Sequence, residues 1–279
     1  IMCRISAIIR KDKNVEFIEI DNLNNSMNRG GPDDDGIFID DYLNVGIGHR
    51  RLSVIDQSFD GHQPMMNKDE SIIMSFNGEI YNFNDLKHEL IKNGYVFKSK
   101  TDSEVILYGY SEYGFDFFKK LKGMYAIIIL DKINNQFIFL RDPLGIKPLY
   151  YAKDNDNFYV SSEIKAIENS DFKCDQNEFW KSLFLSFGFI PEPHTIYKNV
   201  YQVPSNTCII YNFKKNTIDQ KIIIDFNYNI SENNINESLK KVKFLLKQSV
   251  QRHLISDTPI AILLSGGLDS SILSFISND

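Results

Sequence analysis

Short apolar runs bounded by polar turns dominate the first two-thirds of the chain. Residues 5–9, 72–76, 124–130, 136–141 and 158–161 are rich in Ile, Val and aromatic side chains. Runs of about 4–8 such residues predict buried strands. Two stretches show helical spacing instead. Residues 82–93 put Leu86, Leu90 and Ile91 on one face, and residues 102–113 put Val105, Ile106 and Tyr110 on another. Asn82 and Asp102 stand where N-caps are expected.

The texture changes after Tyr211. Residues 212–236 are rich in Asn and Ile with weak periodicity, which places a domain boundary at 212 and divides the chain into 1–212 and 213–279. Residues 238–254 then read as a helix with Leu239, Val242, Leu246 and Val250 on one face. Residues 259–264 read as an apolar strand, and a helix begins by 272–276. Strand, Gly-rich turn and helix in that order open an α/β unit. One strand cannot make a parallel sheet, so this second domain reads as incomplete.

Composition narrows the class. The 279 residues are 43% hydrophobic and 24% charged, close to the average for globular domains, which excludes a collagen, a disordered tail and a disulfide scaffold. A net charge of −6 argues against a general nucleic-acid binder. Cys3, Cys174 and Cys208 are widely spaced without a Cys-x-x-Cys pair, so neither a disulfide framework nor a structural zinc site is expected. The N-terminus is too short and interrupted for a signal peptide. The run 124–130 falls far short of the roughly 20 residues that span a bilayer. The expectation is a cytoplasmic protein without a membrane partner.

Residues 265–271 read Ser-Gly-Gly-Leu-Asp-Ser-Ser. Gly266 and Gly267 allow a sharp turn and close approach of backbone N–H groups to an anion, at a helix N-terminus that carries partial positive charge. Ser265, Ser270 and Ser271 add hydroxyl donors. No Gly-Lys-Ser/Thr occurs, so this is not a Walker A loop. The run resembles the PP-loop of ATP pyrophosphatases, which cut ATP between the α and β phosphates and activate a carboxylate as an adenylate. The resemblance implies ATP contacts at Leu263, Ser265, Gly266, Gly267, Asp269, Ser270 and Ser271. It also implies Mg²⁺ on the phosphates, with Asp269 as the candidate metal contact.

At the other end, Met2 precedes Cys3. A cysteine made N-terminal by removal of Met has a free α-amino group, of reference pKa about 7.7–8.0, that can serve as general base for its own thiol. Ile1 precedes Met2 and is expected to be a start-site artefact; if it were retained, Cys3 would have no free amine. Further motifs follow in order: Arg29-Gly30-Gly31-Pro32-Asp33, His49-x-Arg51-Leu52-Ser53, Asn77-Gly78-Glu79-Ile80-Tyr81-Asn82, Thr101-Asp102-Ser103-Glu104, Gly123-Met124-Tyr125-Ala126 and Arg141-Asp142-x-x-Gly145-x-x-Pro148-Leu149-Tyr150-Tyr151. With the PP-loop they closely resemble glutamine-hydrolysing asparagine synthetases of the class II, N-terminal-nucleophile amidotransferase type, across almost the whole chain.

That resemblance implies a fold and a set of roles. The fold would be an α+β N-terminal-nucleophile αββα sandwich for 1–212, followed by a linker and the truncated start of an α/β PP-loop domain in 213–279. Cys3 would attack the glutamine side-chain amide. The Asn77 side chain and the Gly78 backbone N–H would form the oxyanion hole, each such donor contributing roughly 3–4 kcal/mol. Arg51 would hold the substrate α-carboxylate, a task suited to a forked guanidinium. Glu79 and Asp102 would hold its α-ammonium, and Leu52 and Val54 would complete the glutamine site. Residues 141–151 would face the ammonia passage, or form a tight turn with core packing. His49 is expected to be a hydrogen-bonded packing residue. The second glycine in Arg29-Gly30-Gly31 departs from the family pattern and is expected to loosen that loop.

The reaction implied is ATP-dependent amidation of aspartate by glutamine-derived ammonia, giving asparagine, AMP and pyrophosphate. The alternatives are a sugar carboxylate acceptor, suggested by residues 188–197, or an inactive or glutaminase-only fragment. Partners are then glutamine, ATP and aspartate, with a homodimer left open.

Overall fold

Strand β6 (Gly123–Asp131) has the sequence GMYAIIILD, and its residues from Tyr125 onward are all buried. Such an unbroken apolar run needs cover on both faces. In the computed structural model, which describes residues 2–155, 157–226 and 234–278, that cover exists. Ile127 and Ile129 point into a core shared with helices. Ala126, Ile128 and Leu130 point into a core shared with a second sheet.

The strands before β6 are β1 (Arg4–Arg10), β2 (Asp34–Asp40), β3 (Val45–Arg51), β4 (Met65–Met66) and β5 (Ile72–Ile80). After it come β7 (Gln136–Arg141), β8 (Tyr150–Lys153), β9 (Asn157–Ser161), β10 (Val200–Gln202), β11 (Thr207–Asn212) and β12 (Thr217–Ile222). They form two six-stranded sheets, ordered β10-β8-β9-β1-β3-β2 and β12-β11-β7-β6-β5-β4, with antiparallel pairing. The inner core between the sheets includes Ile5, Ala7, Ile47, Phe139 and Leu149. Helix α1 (Phe17–Asn25) covers the outside of the first sheet with α4 (Ile164–Glu168), through Ile20, Leu23, Ala166 and Ile167. Helices α2 (Phe83–Lys92) and α3 (Ser103–Tyr113) cover the outside of the second through Leu86, Leu90, Val105 and Ile106. The result is the expected αββα sandwich.

Several expectations change in detail. The sheet does not stop at 212: β11 turns into β12 in register from Asn212↔Thr217 to Thr207↔Ile222, and Ile223 is buried in the outer core. Asn82 and Asp102 occupy the N-cap positions of α2 and α3, but neither side chain makes a capping bond. The Asn82 amide instead bridges Lys120 O and Lys122 N at 3.0 and 2.9 Å.

Helix α5 (Trp180–Phe187) stands on the surface, and beyond the sandwich lie α6 (Ile235–His253) and α7 (Leu268–Ser277). On α6 the expected face is regular in spacing, but only Val250 is buried. Residues 259–264 form no strand. Backbone N–H and C=O groups need partners to hold an extended ladder, and the described residues supply no neighbouring strand for this segment.

Candidate active site

Cys3 immediately precedes β1, whose neighbour is β3, with Arg4 opposite Arg50. The thiol is thereby delivered beside Arg51 and Leu52 at the end of β3. Asn77, Gly78 and Glu79 lie near the end of β5 in the other sheet, and Asp102 precedes α3. Cys3, Arg51, Leu52, Val54, Asn77, Gly78, Glu79 and Asp102 all line one cavity. Segments far apart in sequence thus converge where one end of the first sheet meets the second.

The Leu52 backbone N–H donates to Cys3 Sγ at 3.2 Å, and the thiol reaches Leu52 O at 3.5 Å. Burial raises the Cys3 pKa above the usual thiol value; the Leu52 bond and the charges of Lys147 and Arg51 act the other way. The resting group is therefore a neutral thiol that needs a base. Asn77 is fully buried, and neither its Oδ1 nor its Nδ2 has a partner among the described residues. Buried amide groups are rarely left unsatisfied, so an orphan amide facing a cavity points to a ligand. Beside it, a Cβ at Gly78 would stand 2.2 Å from Met124 O, so only glycine fits this strand position.

Arg51 is buried, and its guanidinium is gripped by a loop that wraps around it. Nη1 donates to Ser58 O at 2.8 Å, and Nη2 donates to Asp56 O and to Ile55 O. The two acids behave differently from surface carboxylates. Burial raises the Glu79 pKa, opposed by Lys147 and His253. Burial also pushes Asp102 up to about 7; an accepted bond from Ile80 N–H at 2.7 Å pulls it down, and nearby Glu79 pushes it further up. Two acids sharing a desolvated pocket favour a cationic ligand.

Two cavity residues carry no signal of their own in the sequence. Lys147 is buried, with Nζ 2.9 Å from the sulfur of Met2, and burial lowers its pKa while Glu79 and Cys3 act to raise it. It falls at an unspecified position of the Arg141–Tyr151 motif. That motif is a tight turn: Asp142 accepts from the N–H groups of Leu144, Ile146 and Lys147, and Arg141 donates to Lys147 O and Val203 O. Leu149 lies inside the core between the sheets. Gln63 accepts from Phe76 N–H at 2.7 Å and donates to Ser103 Oγ at 3.2 Å, pinning β5 to the start of α3.

His49 is fully buried with Nε2 3.0 Å from Phe76 O, and burial lowers its pKa to about 3. It is a neutral packing residue. The extra glycine does not loosen its loop. A Cβ at Gly31 would stand 2.3 Å from the Arg50 carbonyl, and Asp33 N–H donates to Arg51 O at 3.0 Å. The loop lies hard against β3.

The PP-loop residues stand apart from this cavity. Leu263 is 93% exposed, and Ser265, Gly266, Gly267, Asp269 and Ser271 are also exposed, with Ser270 half-buried. Gly267 precedes α7, Gly266 has φ +78°, and the hydroxyls of Ser265 and Ser270 meet at 3.0 Å. Among the described residues no group of three metal-ligating side chains forms, and no helix is long and apolar enough to cross a membrane.

A family model described as a glutamine amidotransferase domain matches residues 2–222. The chain belongs to this family. The amidotransferase match ends at the last residue of β12, and a model described as asparagine synthase matches residues 241–279. A putative glutamine-hydrolysing asparagine synthetase of Methanocaldococcus jannaschii is 38% identical over 97% of this chain and 56% of its own length. Asparagine synthetase 1 of Bacillus subtilis is 34% identical, over 100% of this chain and 44% of its own. The chain thus spans about half the length of these relatives. The glutamine phosphoribosylpyrophosphate amidotransferase of B. subtilis shares the fold of this amidotransferase chain, with a TM-score of 0.57 at 16% identity over 99% of this chain and 64% of that one.

Proposed function

We propose that the chain comprises the glutaminase unit and the opening of the ATP-dependent unit of a glutamine-dependent asparagine synthetase. The observation that carries the reading is the cavity. A half-buried thiol, an unpartnered buried amide, a guanidinium and two desolvated carboxylates face the same space. A glutamine molecule presents groups complementary to all of them: an amide to be attacked, a carboxylate and an ammonium.

In this reading the amine of Cys3, freed by loss of the residues before it, takes the thiol proton. The sulfur then adds to the amide carbon. The Leu52 N–H that already faces Sγ supports the developing thiolate. Asn77 Nδ2 and the Gly78 N–H hold the oxyanion, since preorganised donors need no rearrangement as charge develops. Ammonia leaves with a proton returned by the Cys3 amine, and water releases glutamate from the thioester. Arg51 takes the substrate carboxylate, and Glu79 with Asp102 takes its ammonium. Val54 and Leu52 close the pocket wall.

Residues 265–271 would take the phosphates of ATP, and Asp269 would be the contact for a Mg²⁺ that neutralises their charge. The acceptor carboxylate, for which aspartate is the proposed substrate, would attack the α-phosphorus of ATP and release pyrophosphate, and ammonia would then displace AMP from the acyl adenylate to give the amide. We place the end of the glutaminase unit after β12, with the linker beyond it.

The test is a chain beginning at Cys3. It should release glutamate from glutamine, and Cys3→Ala should not. Equal activity in the Ala variant would overturn the nucleophile assignment. A chain that retains Met2 should be inactive, because its acylated nitrogen cannot act as base.

A further inference from the structure

The end of α6 and the residues that follow it make contacts that the proposed chemistry does not use. Val250, near the end of α6, is the buried residue of that helix, and Ile255 packs against the outer core of the sandwich. The His253 ring lies 4.2 Å from that of Tyr81, two residues beyond Glu79. Asp257 then makes a reciprocal pair of bonds to the loop that grips Arg51. Its backbone N–H donates to Val54 O at 3.1 Å, and its Oδ2 accepts from Asp56 N–H at 2.8 Å.

Asp56 is the hub of that loop. It has φ +55°, a left-handed conformation that costs a non-glycine residue energy and persists only when its surroundings hold it. Its carbonyl accepts from Arg51 Nη2, its Oδ1 from Ser58 N–H, and its Oδ2 from Lys100 N–H. Asp257 supplies the partner for the remaining polar group, the Asp56 N–H. Removing it frees the backbone to relax, and the Arg51 guanidinium is tied to that same backbone.

We propose that Asp257 is a positioning residue for glutamine, a clamp reaching from the segment that matches the asparagine synthase model onto the loop that orients Arg51. The inference rests on the glutaminase reading for its substrate. The clamp acts on ground-state binding of the carboxylate and touches neither the thiol nor the amide under attack, so it tunes KM and leaves kcat alone. It also joins the glutamine pocket physically to the chain that leads to Ser265.

Two variants test it in the 279-residue chain processed to begin at Cys3. Asp257→Ala should raise KM for glutamine about fivefold, the size expected for one lost hydrogen bond of ordinary strength, with kcat within about twofold. Asp257→Asn, whose amide oxygen still accepts from Asp56 N–H, should restore most of the affinity. Hydrogen exchange at residues 54–58 gives a readout independent of activity: it should quicken in the Ala variant and not in the Asn variant. An unchanged KM with unchanged exchange in Asp257→Ala would overturn the clamp, as would equal losses in both variants. If the processed chain hydrolyses no glutamine, the glutaminase reading fails, and the exchange comparison alone decides whether the clamp exists.

Discussion

Asn77 holds two polar atoms in a fully buried position without a partner among the described residues. Such a residue is a liability to the fold and is explained by a ligand. Asn77→Ala should therefore lower kcat for glutamine hydrolysis by about 10²–10³, with a melting temperature equal to or above that of the parent chain. A large loss of stability would show that the amide serves packing instead. Asp102 supports a second expectation. Its pKa of about 7 in the folded chain exceeds the unfolded value of about 3.9. The folded state therefore binds the extra proton between those values. Its contribution to stability is fully present below the unfolded value and is lost as pH rises through 7. Asp102→Asn keeps an acceptor for Ile80 N–H and removes the titration, so it should gain stability relative to the parent above pH 7. Glutamine's ammonium would favour the ionised carboxylate, so binding near pH 7 should expel a proton. Calorimetry in two buffers of different ionisation enthalpy measures that release.

Elements were legible in the sequence to the extent that they are buried. β6 and the apolar part of β5 announce themselves because both faces of the second sheet are covered. β12, Thr-Ile-Asp-Gln-Lys-Ile, is exposed along its whole length; an edge strand with no buried face leaves no pattern, so the apolar signal in the sequence ends at 212. α1 leaves little signature in the sequence because its capping box uses Glu16 rather than a typical cap residue. The site follows the same logic in another form. Cys3, Asn77, Glu79 and Asp102 could be read from ordered motifs, whereas Lys147 reaches the cavity only through the turn that Asp142 organises. Glycines mark another contact that spacing alone does not reveal. A Cβ at Gly61 would stand 2.0 Å from Arg51 Nη2. Gly61→Ala should displace the guanidinium and raise KM for glutamine at least tenfold, roughly the cost of one disturbed charged hydrogen bond. Steady-state kinetics with an unchanged KM would show that the short helical turn at Phe59–Gly61 absorbs the methyl group.

At the scale of the molecule, the described chain divides by burial. The sandwich encloses three apolar clusters, while α7 has no buried residue and α6 has one. Leu239, Phe244, Leu245, Leu264 and Phe275 are each at least half exposed. Local stability follows buried apolar contact, so limited proteolysis should cut within residues 258–278 well before it cuts the sandwich, as mass spectrometry of the early fragments would show. Simultaneous loss of both parts would mean that the clamp at Asp257 unites them into one cooperative unit.

The placement of Met2 has one more consequence. Its side chain lines the same cavity as Cys3, and its sulfur meets the buried ammonium of Lys147. A chain that keeps Met2 therefore carries a tethered plug as well as a blocked amine. Aminopeptidase trimming would become the moment of activation, clearing the pocket and creating the base in a single cut. A diazoketone analogue of glutamine should accordingly label the trimmed chain and spare the untrimmed one.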